Sequence, residues 1–294
     1  MAASSTVNKV NTVQNKILCY NSELFHLEKS GLEGYVTKQS VLEVFGFKFG
    51  RSGAHSARSM MIAELTTLMA AHPEGATAER FKEDVLTFNL LHKPTSNSRR
   101  LTYRHLVDLY GLTDDVCLFR VFRKLWLQAP SAQPVLALQL ALCRDPLLRA
   151  SMPKLMALEP GESITRQDME ALLEQHNPGG YSAASLKSFA QNINGSWTQA
   201  GFLLGRARKT RSQAPVHAVN VAFALFIASL QGLQGQRGFN SEWCQLLSRD
   251  TDQLYQLAHV ASLHGYLRFK QSSEVVEVTF PGWLNDNEKE LFNG

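Results

Sequence analysis

Apolar side chains along this chain recur mainly at spacings of three and four residues. Leu118, Val121, Phe122 and Leu125 share one helical face, and Val219, Phe223, Phe226, Ile227 and Leu230 repeat that pattern. The chain is therefore read as mainly α, with helices expected near 58–71, 77–88, 97–110, 115–128, 135–143, 166–176, 183–193, 218–232, 241–247 and 252–264, and a short one from Pro146. Start signals agree with these positions: Asp145 stands before Pro146, and Thr165 and Ser182 precede amphipathic segments. Two stretches read instead as β hairpins. One covers 202–216 with a polar tip, and the other covers 266–280, where Val276, Val278 and Phe280 alternate. Helices followed by hairpins predict helix-turn-helix or winged-helix elements.

A chain of 294 residues suits two lobes sharing one packed body. The expected division is a partly flexible N-terminal region (1–53, its first fifteen residues a frayed tail), a helical lobe (54–130), a second helical lobe (135–284) and a tail (285–294), with 129–134 as linker. The longest apolar run, 219–230, contains Ser229 and falls far short of the roughly 20 residues that cross a bilayer. Together with the absence of a secretory signal, this predicts a soluble, cytoplasmic protein without a membrane partner. Cys19, Cys117, Cys143 and Cys244 are scattered singly, so they predict inert thiols rather than a zinc or redox pair. No cofactor or metal is expected.

The net charge of +4 is modest, but its distribution is uneven. Residues 175–241 hold six basic residues (Lys187, Arg206, Arg208, Lys209, Arg211 and Arg237) and no Asp or Glu. Within this stretch, helix 183–193 buries Leu186, Phe189, Ala190 and Ile193 and presents Ser185, Lys187, Ser188, Gln191 and Asn192. Short hydroxyl and amide groups suit base edges, and lysine suits phosphate. An amphipathic helix and a turn with Pro178, Gly179 and Gly180 come first, in helix-turn-helix order. The run Arg206, Arg208, Lys209, Arg211 then falls where a wing would lie.

A second candidate is helix 97–110, with Arg100, Arg104 and Asp108 on one face, Arg99 beside it and Asn97 at its start. From Lys93 to Gln128 seven basic residues face three acids. A solvated basic face is the competing reading of both runs. Catalytic motifs are missing: there is no Walker glycine loop, GxGxxG, HExxH or GxSxG. His259 and His264 lie five apart, on different helix faces. Asp114 and Asp115 read as charges favourable to a helix start. No enzyme is predicted.

The segments NLLHKPTSNSRRLTYRHLVDLYGL, ALCRDPLLRAS, NGSWTQAGFLLGRARKTRS and EVVEVTFPGWL resemble BrxA proteins of bacteriophage exclusion (BREX) systems, over about residues 54–284. The resemblance implies a non-enzymatic, DNA-binding component of phage defence with two helix-turn-helix elements, at 97–110 and at 183–193 with its basic hairpin. It transfers no individual base-contacting residue. The expected partner is double-stranded DNA, with other BREX components as further candidates; a monomer is compatible with the sequence. Arg99, Arg100, Arg104, Lys187, Arg206, Arg208, Lys209 and Arg211 are the expected phosphate contacts. Ser185, Ser188, Gln191 and Asn192 are expected to line a groove, and Asn97, on the other candidate helix, is a further expected DNA contact. The alternatives are an assembly scaffold that uses the same basic surface against protein, and a helix-turn-helix transcriptional regulator.

Overall fold

The computed structural model describes residues 24–25, 36–206, 208–272 and 275–293. The tail expected at 1–15 and Cys19 lie outside them. β1 (Leu24–Phe25) pairs antiparallel with β2 (Val36–Thr37), and α1 (Lys38–Phe45) follows, capped by the Thr37 hydroxyl. α2 (Ile62–Ala70), α3 (Ala78–Leu86), α4 (Ser96–Tyr110) and α5 (Cys117–Trp126) complete the first half. A 3-10 turn at Pro130–Ala132 leads directly into α6 (Gln133–Arg144), which continues into α7 (Pro146–Ala150) and α8 (Met152–Met156). Then come β3 (Ser163–Ile164), α9 (Arg166–His176), α10 (Ala183–Gln199), β4 (Leu203–Leu204) and β5 (Lys209–Arg211). The chain closes with α11 (Ala218–Leu230), α12 (Gln236–Phe239), α13 (Glu242–Gln245), α14 (Thr251–Leu263), the hairpin β6 (Arg268–Ser272) and β7 (Val275–Thr279), and α15 (Asp286–Asn293). The protein is thus mainly helical with short antiparallel strands.

α6 and α11 are the hub. Every residue of α11 is buried, not only the face marked by Val219, Phe223 and Phe226, and α6 is buried from Val135 to Arg144. A helix that is apolar all round is a buried helix. The polar groups of the hub pair with each other: Gln139 Nε2 donates to the Asn220 carbonyl (2.9 Å), and Asn220 Nδ2 donates to the Ala132 carbonyl (3.1 Å). That last bond explains why 129–134 is not a loose linker. The buried apolar residues form one continuous cluster from Leu42 to Trp283, passing through Ala132.

Three differences from the sequence expectation have physical causes. The helix expected from residue 58 starts at Ile62, because Ser59 and Met60 bond to α10 instead and Met61 takes a positive φ of 53°. α5 starts at Cys117, and Asp114 instead pairs with Arg123. The expected tail contains α15, held where Glu288 meets Arg120. Cys117, Cys143 and Cys244 are buried thiols; burial pushes Cys117 and Cys244 up to about 12 and Cys143 higher still. They are protonated at neutral pH, consistent with inert side chains. No helix among the described residues is long and apolar enough to cross a membrane.

Candidate nucleic-acid interface

β3, α9, α10, β4 and β5 form a winged helix-turn-helix. α9 and α10 pack together, and the sheet order is β3-β5-β4, with Ser163 opposite Thr210 and Leu203 opposite Arg211. Thr165 and Asp168 close a capping box at the start of α9, and the Ser182 hydroxyl accepts the Ser185 N–H (3.2 Å) at the start of α10. At the wing, Gly205 has φ +97°, and a Cβ there would lie 2.5 Å from the Arg208 carbonyl oxygen. Only glycine fits that turn.

α10 runs six residues beyond its expected end at Ile193. Asn194 and Gly195 read as a turn signal, yet Ser196 and Trp197 are fully buried, and Trp197 Nε1 donates to Ser151 Oγ (2.8 Å). Tertiary packing of the tryptophan overrides the local propensity.

The thirteen candidate residues separate into two groups. Lys187, Ser188 and Gln191 are exposed on α10, Arg206 and Arg208 on the wing, and Asn97, Arg100 and Arg104 on α4. Among the described residues, none of these five arginines and lysines on α10 and α4 or at the wing tip forms an ion pair. Four other candidates are already engaged. Arg211 is only 6% exposed; its guanidinium donates to the Phe202 and Ser212 carbonyls and to Ser248 Oγ, and stacks on Phe202. It holds the wing to the body and is not available to phosphate. Lys209 Nζ donates to the Gly205 carbonyl (2.6 Å) and Arg99 Nη1 to the Leu86 carbonyl (2.8 Å). Asn192 Nδ2 donates to the His55 carbonyl (3.0 Å), so it braces α10 instead of lining a groove. Ser185 is half-buried beside its capping partner Ser182.

The His55 contact belongs to a strap, residues 51–60, that sequence reasoning missed. His55 N and Nδ1 both meet Asp145 Oδ2 (2.9 and 2.8 Å), and His55 Nε2 meets Ser196 Oγ (2.7 Å). Asp145 Oδ1 also accepts the Leu148 N–H (3.0 Å), capping α7 as the Asp-Pro signal predicts. Burial alone would raise the Asp145 carboxyl, but His55 and the two backbone donors outweigh it and hold the group below the usual range. Asp, His and Ser stand here in the order of a hydrolytic triad. All three are buried, and Ser196 Oγ already accepts the Met60 N–H (2.8 Å), so the constellation acts as a clamp.

α3 and α4 form the second candidate pair. Thr95 and Ser98 make the capping box of α4, and Tyr103 Oη donates to the Ala78 carbonyl (3.2 Å). Their connection, 87–95, is longer than the three- to four-residue turn of a compact helix-turn-helix. Burial, then the charge of Arg104, with Arg58 adding and Asp108 opposing, lowers the His105 imidazole. It is therefore neutral in the folded protein at pH 7, whereas an unfolded histidine titrates near about 6.5. As pH falls the unfolded chain takes up this proton first, so stability is full above about 6.5 and declines below it. The urea midpoint is expected to fall between about pH 7.5 and pH 5.5, and to fall less in His105→Gln. Equal slopes in the two proteins would refute this.

A third element of the same kind lies at the C-terminus. α11, α13 and α14 followed by the β6–β7 hairpin repeat the helix, turn, helix, wing order, with Phe269 opposite Val278. Its second helix carries one charged residue, Asp252, and exposes Val260 and Leu263, the latter by 88%. The sequence located these helices and this hairpin, but no charge signal marked them as a unit.

No family model and no curated protein matches this chain. Among solved structures it is similar to a magnesium-ion-bound crystal structure of SspB, with a TM-score of 0.51 and 12% identity over 85% of this chain and 89% of that one. At that identity the likeness is one of fold.

Proposed function

We propose that the protein binds double-stranded DNA, without catalysis, through the winged helix-turn-helix of α9, α10 and the β4–β5 wing. The observation that supports this most is the set of exposed cations Lys187, Arg206 and Arg208, which form no ion pair among the described residues and stand beside the polar side chains of Ser188 and Gln191. Phosphate contacts from such residues give affinity without base identity. The resemblance to BrxA proteins makes phage defence of the BREX type the proposed setting, with DNA as the partner and neighbouring defence proteins as further ones.

The test is a gel-shift series on random-sequence duplex at about 50 and about 200 mM salt. Retarded bands that fade steeply with salt are expected. No shift at low salt, or a shift indifferent to salt, refutes the reading. A marked preference for one operator over random duplex would instead favour a regulator. Helix α14 of the C-terminal unit, with Asp252 as its one Asp, Glu, Lys or Arg and with Val260 and Leu263 exposed, favours a concurrent role in protein assembly. Partner capture that survives nuclease treatment would check that role.

A further inference from the structure

The strap follows α10 over most of its length and ends on α4. Tyr181 Oη donates to the Arg51 carbonyl (2.7 Å) just before α10, and Asn192 meets His55 halfway along the helix. Gln199 Nε2 donates to Ser59 Oγ (3.0 Å) at the last turn. The Met60 N–H goes to Ser196, and the Met60 carbonyl accepts the Tyr110 hydroxyl at the end of α4. A cation on this backbone is therefore held in place relative to both candidate helices.

Two such cations, Arg51 and Arg58, fall outside the residues singled out from sequence. Both are exposed, and neither is in an ion pair among the described residues. Arg58 Nη1 donates to the adjoining Ala57 carbonyl (3.1 Å). Arg58 lies two residues before Met60, whose carbonyl meets Tyr110 on the helix that carries Arg104, and the charges of both arginines lower the His105 imidazole. Like charges gathered on one surface repel, and an anion shared between them removes that cost.

We infer that the strap is part of the DNA surface: Arg58 and Arg104 together form a phosphate bridge that carries one duplex from the winged unit onto α4, and Arg51 extends the contact at the start of α10. This rests on the DNA-binding reading above. A single guanidinium lost from such a bridge should lower the slope of log K against log salt by about 0.9.

The experiment measures that slope on a duplex of about 30 base pairs, roughly three helical turns, for the full-length protein and for Arg58→Ala, Arg104→Ala, the double variant and Lys289→Ala. Lys289 lies on α15 and pairs with Asp286. All the substituted side chains are exposed, so equal melting temperatures verify folding. Each arginine variant is expected to lose about one unit of slope, and the double variant about two, while Lys289→Ala matches the parent. A steep parent slope with Arg58→Ala indistinguishable from Lys289→Ala overturns the strap's role and leaves the winged unit's. A change in Arg58→Ala without one in Arg104→Ala overturns the bridge. A parent protein that does not bind overturns both readings at once.

Discussion

Asp145→Ala is expected to lose about 3–5 kcal/mol of folding stability, the range for breaking a buried pair by removing one partner. The carboxylate serves three donors at once: the His55 N–H, the His55 ring and the Leu148 N–H that opens α7. Alanine leaves all of them in a site where His55 is fully buried and Asp145 is 1% exposed. Each stranded donor costs about 1–3 kcal/mol, and partial relaxation keeps the sum near the stated range. Asp145→Asn restores one acceptor but places an amide N–H against donors, so it should lie closer to alanine than to the parent. Urea unfolding followed by tryptophan fluorescence checks this. A loss below about 1 kcal/mol, the size of an ordinary surface change, would show that the clamp is not a determinant of stability.

The second large effect is expected on the proposed DNA affinity. Lys187→Ala, Arg206→Ala and Arg208→Ala combined should remove about 2.7 units of salt slope, which is several hundredfold in affinity at about 0.1 M salt relative to 1 M. Melting should be unchanged, because all three side chains are exposed. Arg211→Ala should do the reverse at first order. It removes charged donors to Phe202, Ser212 and Ser248 from a buried position and so destabilises the fold by about 2–3 kcal/mol. Titration by fluorescence anisotropy, paired with thermal melts, separates the two. A triple variant that binds as the parent does would remove the wing and α10 from the interface.

The contrast between Arg208 and Arg211 also shows what the chain discloses in one dimension. Arg206, Arg208, Lys209 and Arg211 read as one basic run, yet burial divides them, because β5 pairs on both sides and Arg211 lies where the sheet meets the body. Local signals were legible where local chemistry decides. The caps at Asp145, Thr165 and Ser182 stand where their residue types place them, and the two hairpins form with alternating burial in the second. Signals failed where distant residues decide. Nothing near Asn194 and Gly195 announces that Trp197 will be buried and prolong α10. Nothing near Arg51 announces a strap, since the contacts that hold it lie 50 to 141 residues away. The C-terminal winged unit escaped for a different reason: its shape recurs without a recurring sequence, and its helix α14 has no Lys or Arg of the kind that marked the other two.

That sequence separation has a temporal side. His55 waits for Ser196, 141 residues further along the chain. At ribosomal rates of about 5–20 residues per second, the strap is synthesised roughly 7–28 seconds before the helix it grips exists. The nascent protein therefore carries Arg51 and Arg58 on a strap that lacks its α10 contacts until the winged unit has left the ribosome.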